Sequence, residues 1–217
     1  MDIIYFINEI GLQIIILIVA LLSFSRLDKF TKVLCLQVAI SVLFYLATKV
    51  FDRQYNPFIY NFYIPLESLT LLYAAATLVH LKFEKNLLYV FYAGVLLACV
   101  AQIIFSNIFD FFNYAYCIGS LFITITYLYL LFLKISETNK MQNFKTFLFA
   151  SLGIIIYFAC NTPYMGLMNY LLVEDSELSS ILFDFITRVL SNVRYLLLLI
   201  GIALMVRNNK AQQVKTI

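Results

Sequence analysis

The sequence predicts an all-α, polytopic membrane protein: a seven-helix bundle with its N-terminus outside and its C-terminus in the cytoplasm. Three observations carry this. Hydrophobic residues make up 63% of the 217 positions and charged residues only 12%, about half the charge of a soluble domain. Mean hydropathy is +0.91. Seven apolar runs recur along the chain, each near the ~20 residues a helix needs to cross a bilayer core.

The runs are 9–24, 31–50, 58–81, 87–105, 109–133, 144–172 and 179–206. The first is the shortest and could start as early as Ile3. Its leader MDIIYFINEI has no basic n-region and no small-residue cleavage site, so it is expected to stay in the mature protein. Run three opens at Pro57, a favoured helix-start residue, and holds Pro65 two positions before Glu67. Run six is the longest and carries Pro163 after Asn161 and Thr162. A proline inside a helix frees a carbonyl and can kink it. Pro65 and Pro163 are therefore expected either to kink the packing or to open the bundle around the charged residues. Run seven contains Asp184, Arg188 and Arg194.

Loop charge sets the orientation. With the N-terminus outside, the cytoplasmic segments hold Arg26, Lys29, Lys32, Lys82, Lys85, Lys134, Lys140, Lys145, Arg207, Lys210 and Lys215, and the outer segments only Lys49 and Arg53. This is the positive-inside pattern of a bacterial inner-membrane protein. It accounts for the net charge of +3 without nucleic acid. All loops are short, so one domain over 1–217 is expected, with the lipid bilayer as its principal partner.

The interior charges point to function. An ionised side chain at bilayer depth costs roughly 2.5–3.5 kcal/mol on insertion scales. Counted at ~1.5 Å per residue, Glu67 and Arg188 lie about 13 Å below the outer ends of their spans, and Asn161 about 16 Å. Arg194 lies deeper, near or below the midplane, and Asp184 is shallow. At ~100° per residue, Asp184, Thr187, Arg188, Ser191, Asn192, Arg194 and Tyr195 share an arc of about 160°. The candidate ligand-binding residues are therefore Glu67, Asn161, Asp184, Arg188, Asn192 and Arg194. Asp184 and Arg188 can pair at i,i+4, or Arg188 can reach across to Glu67. Arg194 has no acid at its counted depth, with Gln37 of run two its nearest polar neighbour. It is the residue expected to hold an anionic ligand.

Other chemistries find little support. Cys35, Cys99, Cys117 and Cys160 fall in four different runs and form no CxxC pair, and His80 is the lone histidine. No metal site or cofactor follows from that set. Run seven has no lysine for a retinal Schiff base, the PQ pair of sugar carriers is absent, and no hydrolase or nucleotide motif occurs. An enzyme is not expected. Tryptophan is missing, and Tyr55, Tyr60, Tyr63, Tyr114, Tyr116, Tyr164 and Tyr170 map near the outer ends. They are expected either to form an interfacial belt or to line an outward-facing pocket.

Two stretches carry a resemblance: Asn61-Phe-Tyr-Ile-Pro-Leu-Glu67-Ser-Leu, and a second that runs through Ile156-Tyr-Phe-Ala-Cys-Asn161 and on to run seven with Ser191-Asn192-Val193-Arg194-Tyr195. They resemble small seven-span inner-membrane proteins of Bacteroidota with no assigned function, some similar in setting to partners of sensor kinases. The chain departs from that pattern at Arg194, where a neutral residue is expected. The resemblance implies a sensory module with a small-molecule or lipid ligand and a cytoplasmic signalling partner. The alternatives are a small transporter or permease, whose usual internal repeats are not found here, and a scaffold held by ion pairs.

Overall fold

The computed structural model describes residues 3–136 and 143–215, with side chains over 10–135 and 143–208. Lys140 and the side chains of Lys210 and Lys215, used above to orient the chain, lie outside that set, as do Asp2 and the side chain of Glu9. Among the described residues every regular element is helical. The helices are α1 (Ile3–Leu22), α2 (Lys29–Val50), α3 (Asn56–Ala76), α4 (Lys82–Phe105), α5 (Asn113–Ser136), α6 (Phe144–Glu174), α7 (Ser176–Asp184) and α8 (Ser191–Lys215). A π-helical segment, Phe185–Leu190, joins α7 to α8, so the three form one interrupted rod.

Five stretches are long and apolar enough to cross a membrane: Lys29–Val50, Lys82–Phe105, Asn113–Ile135, Phe144–Glu174 and Ser176–Asn208. This is the build of a multi-pass membrane protein. α1 adds a shorter apolar stretch, Ile10–Leu22. α3 is not one of the five, for Asn56, Asn61, Glu67, Ser68 and Thr70 interrupt its apolar surface. Its neighbours bury those groups: Asn61, Glu67 and Ser68 are all inside the bundle. The outward surface is apolar instead, as on α4, where Leu97, Val100 and Ile104 are exposed at helical spacing.

The order of contacts describes a ring. α1 packs on α2, α2 on α3, α3 on α5, α5 on α6, α6 on α8 and α8 back on α1. α4 stands outside it, against α3 and α5. Asp28 fastens one end: its Oδ1 accepts from the Thr31 amide at 2.8 Å, capping α2, and its Oδ2 accepts from Asn143 Nδ2 at 3.3 Å. Asp175 caps α7 at the other end by accepting from the Leu178 amide at 2.9 Å.

Two boundaries differ from the apolar runs. Run three extends to Leu81, but α3 stops at Ala76, and the Thr77 hydroxyl donates to the Ala74 carbonyl at 2.7 Å. Run five opens at Phe109, but 109–112 is a loop. Asn61 holds that loop: Nδ2 donates to the Ile108 and Asp110 carbonyls, each at 2.8 Å, and Oδ1 accepts from the Phe112 amide at 3.0 Å. The apolar side chains there pack on α3, where Phe109 stacks on Phe58 at 5.8 Å.

Helices α3 and α6 run on through Pro65 and Pro163. The break comes in the last rod, at a π-segment without proline or glycine. π-bulges of this kind are uncommon and cluster at functional sites.

Candidate functional site

α3 presents Tyr63 and Glu67 one turn apart on one face, turned into the ring. Glu67 is 2% exposed. Its Oε1 accepts three hydrogen bonds: from the Tyr63 hydroxyl at 2.8 Å, from Arg194 Nη1 at 2.9 Å and from Gln37 Nε2 at 3.1 Å. Gln37 Nε2 also lies 3.3 Å from the Tyr63 hydroxyl. One acid therefore collects donors from α2, α3 and α8. A buried carboxylate without such partners would be severely penalised.

Arg194 is equally buried, at 5% exposure. Its guanidinium sits 5.0 Å from the ring centroids of Tyr157 and Phe158 and 5.4 Å from that of Tyr195. Those separations are within cation–π range. Nη2 is buried and has no hydrogen-bond partner. Next to it, the Tyr195 hydroxyl lies 3.1 Å from Ser41 Oγ, joining α8 to α2 across the ring.

Above these bonds is a cavity of about 700 Å³. Its floor includes Ser41, Tyr63, Glu67, Tyr157, Arg194 and Tyr195, and Gln13 of α1 closes one wall. Toward the end carrying the α2–α3 and α6–α7 connections, it is lined by Lys49, Phe51, Arg53, Asn56, Thr187 and Arg188. Gln13 Oε1 and Asn56 Oδ1 are buried acceptors without partners. Beyond the floor the bundle is filled: Leu71, Leu72, Tyr127, Phe147, Ile202 and Met205 are fully or almost fully buried.

The candidate residues separate into two groups. Glu67, Arg188 and Arg194 line the cavity; Asp184, Asn192 and Asn161 do not. Asn161 is buried and donates through Nδ2 to the Tyr116 hydroxyl at 2.6 Å, and its Oδ1 has no partner. Asp184 pairs with Arg188 at 3.4 Å, both side chains about half exposed. Arg188 thus takes the local i,i+4 partner and not Glu67. Such an exposed pair contributes little stability.

The absence of an acid for Arg194 is corrected outright: Glu67 Oε1 is 2.9 Å from its Nη1. Counting rise from the run ends set the two about 9 Å apart in depth. That count assumed level helix ends and uniform winding. The π-segment takes more residues per turn and advances less per residue. The arginine stem, longer than that of Glu67 and leaning back toward the helix N-terminus, covers much of the remainder. The same segment breaks the single polar arc counted at uniform winding: Thr187, Arg188, Ser191, Arg194 and Tyr195 remain on the cavity, while Asp184 and Asn192 leave it.

The tyrosines divide. Tyr60 and Tyr63 line the cavity; Tyr55, Tyr114 and Tyr170 are exposed; Tyr116 and Tyr164 are packed inside. Gln13, Ser41 and Tyr157 were not singled out by sequence. Gln13 had the clearest available signal, as the one amide within the run QIIILIVALL.

Chemically the site offers a desolvated ion pair, tyrosine and serine hydroxyls and aromatic walls. Such groups can bind and orient a ligand. Among the described residues no group of three His, Cys, Asp or Glu side chains is placed to hold a metal ion. Comparison with known proteins finds no matching family model, no matching curated protein and no matching solved structure.

Proposed function

We propose that the chain is a seven-span, N-out/C-in module of a bacterial inner membrane that binds a small ligand in an outward-facing cavity and reports it to a cytoplasmic partner. The observation that carries this reading is the cavity of about 700 Å³ whose lining includes the buried Glu67–Arg194 pair. The cavity volume falls within the roughly 300–1,000 Å³ of small-molecule sites.

The signalling half of the proposal rests on connectivity. Thr187, Arg188, Ser191, Arg194 and Tyr195 belong to the rod that continues through α8 to the C-terminal end. A ligand that competes with Glu67 for the Arg194 guanidinium would act on that rod directly. The packed interior beneath the floor favours binding and reporting over passage of a substrate.

The reading requires the α2–α3 connection outside, because the cavity mouth is built there. Alkaline phosphatase and fluorescent-protein fusions test it. Phosphatase activity is expected for fusions in the 51–55 and 174–177 connections, and fluorescence for a fusion at the C-terminus. The opposite pattern overturns the proposal.

A further inference from the structure

We infer that the cavity takes an uncharged ligand with an apolar ring body and a hydroxyl or N–H group that donates to Glu67 Oε2. This inference rests on the outward-facing cavity proposed above and adds the chemical class of its ligand. Three observations select the class.

The first is the oxygen left open on Glu67. The three donors to this carboxylate, Tyr63, Gln37 and Arg194, all converge on Oε1. Among the described residues nothing donates to Oε2, yet Oε2 is not one of the sealed polar atoms that lack a partner. Glu67 is buried in the bundle and lines the cavity. Oε2 therefore keeps a little surface open to the cavity, with its lone pairs free. An acceptor so deeply placed calls for a donor. Arg194 Nη2 and Gln13 Oε1, in contrast, are sealed in the packing and offer nothing to a ligand.

The second is the charge at that point. Arg194 Nη1 already neutralises the carboxylate at 2.9 Å. An anion against Oε2 would meet like charge at a desolvated site, where repulsion is strong. A cation there would share the carboxylate with the Arg194 guanidinium and lie beside it. A neutral donor meets Oε2 without either penalty, and a hydrogen bond to an ionised acceptor is among the stronger kinds. Because Oε1 and Oε2 belong to one carboxylate, such a ligand bears directly on the ion pair.

The third is the wall. Phe44, Tyr60, Tyr157 and Phe183 line the cavity. Phe44 is itself steadied by Tyr63, their ring centroids 5.5 Å apart. Aromatic faces of this kind bury ligand area and favour offset or edge-on ring contacts. A cavity of about 700 Å³ has room for a fused-ring body.

The test is binding to the full chain in detergent micelles, read by calorimetry and thermal stabilisation. The probes share one body: 2-naphthol, 2-methoxynaphthalene, 2-naphthoate and 2-naphthylmethylamine. Saturable binding is expected for 2-naphthol, with the other three at least about tenfold weaker. The methoxy compound has the same rings without the donor and enters micelles at least as readily, so partition into detergent cannot produce that order. The double variant Glu67→Gln/Arg194→Met removes the carboxylate without stranding a charge. It should lose the preference for 2-naphthol over 2-methoxynaphthalene. The order of the four probes on the wild-type chain decides the inference whether or not that variant folds. Equal binding of 2-naphthol and its methyl ether, tighter binding of the acid or the amine, no 2-naphthol binding up to millimolar concentration, or a preference that survives in the folded double variant overturns the inference. Those failures are separable from failure of the outward-facing reading, which the reporter fusions decide independently.

Discussion

Glu67 gathers three donors on one oxygen, and only one of them, Gln37, lies on a helix that meets α3 as its direct neighbour along the ring. Tyr63 comes from its own helix and Arg194 from across the ring. Removing one side of a buried ion pair strands the other, at about 3–5 kcal/mol. Glu67→Gln and Arg194→Met should each lose roughly that much stability in chemical unfolding from detergent. The double variant should recover most of it, since neither charge is then left alone. Additive losses would show that the two do not interact. That charges lay inside runs three and seven was legible, because each stands out in an apolar stretch. Their pairing was not, because depth was counted along ideal helices. Gln13, Ser41 and Tyr157 left weaker traces: one amide or hydroxyl in an apolar helix reads the same whether it faces a cavity, a partner or its own backbone.

At the scale of elements, the close approach of α6 and α8 sets where Arg194 stands. A Cβ added at Gly153 would lie 3.0 Å from the Arg194 carbonyl oxygen and 3.1 Å from its Cα. One at Gly201 would lie 3.1 Å from the Thr146 carbonyl oxygen, and the Thr146 hydroxyl donates to the Gly201 carbonyl at 2.8 Å. Small residues at such crossings let helix backbones meet in a membrane. Gly153→Ala has to push backbone and not a flexible side chain. It should cost about 1–3 kcal/mol and displace Arg194. Gly166→Ala, whose new Cβ has only Cys117 Sγ at 3.8 Å, should be near neutral in the same unfolding measurement. A Gly153→Ala variant as stable as Gly166→Ala would mean the helices are not held this close. Helix positions were legible from apolar period and length. The π-segment was not, because Phe185–Leu190 contains neither proline nor glycine to mark it. Nor was the end of α3, since Thr77–Leu81 is as apolar as the helix it leaves.

For the molecule as a whole, the ring of α1, α2, α3, α5, α6 and α8 leaves space at one end and closes it at mid-depth with bonds that cross the ring. The basic loops mark the other end. Bundle class and charge asymmetry could be read from composition; the space could not, because it depends on which side chains fail to meet. This space is proposed to be open to the outside down to Glu67 and Arg194. Ser41 lies at that floor through its contact with Tyr195, and Thr187 lies nearer the mouth. The direct measurement is labelling of Ser41→Cys and Thr187→Cys by a membrane-impermeant maleimide in intact cells, against the wild-type chain and its four native cysteines. Both positions should react from outside, Thr187→Cys faster than Ser41→Cys. Ser41→Cys that resists labelling in intact cells but reacts in inverted vesicles would contradict the account.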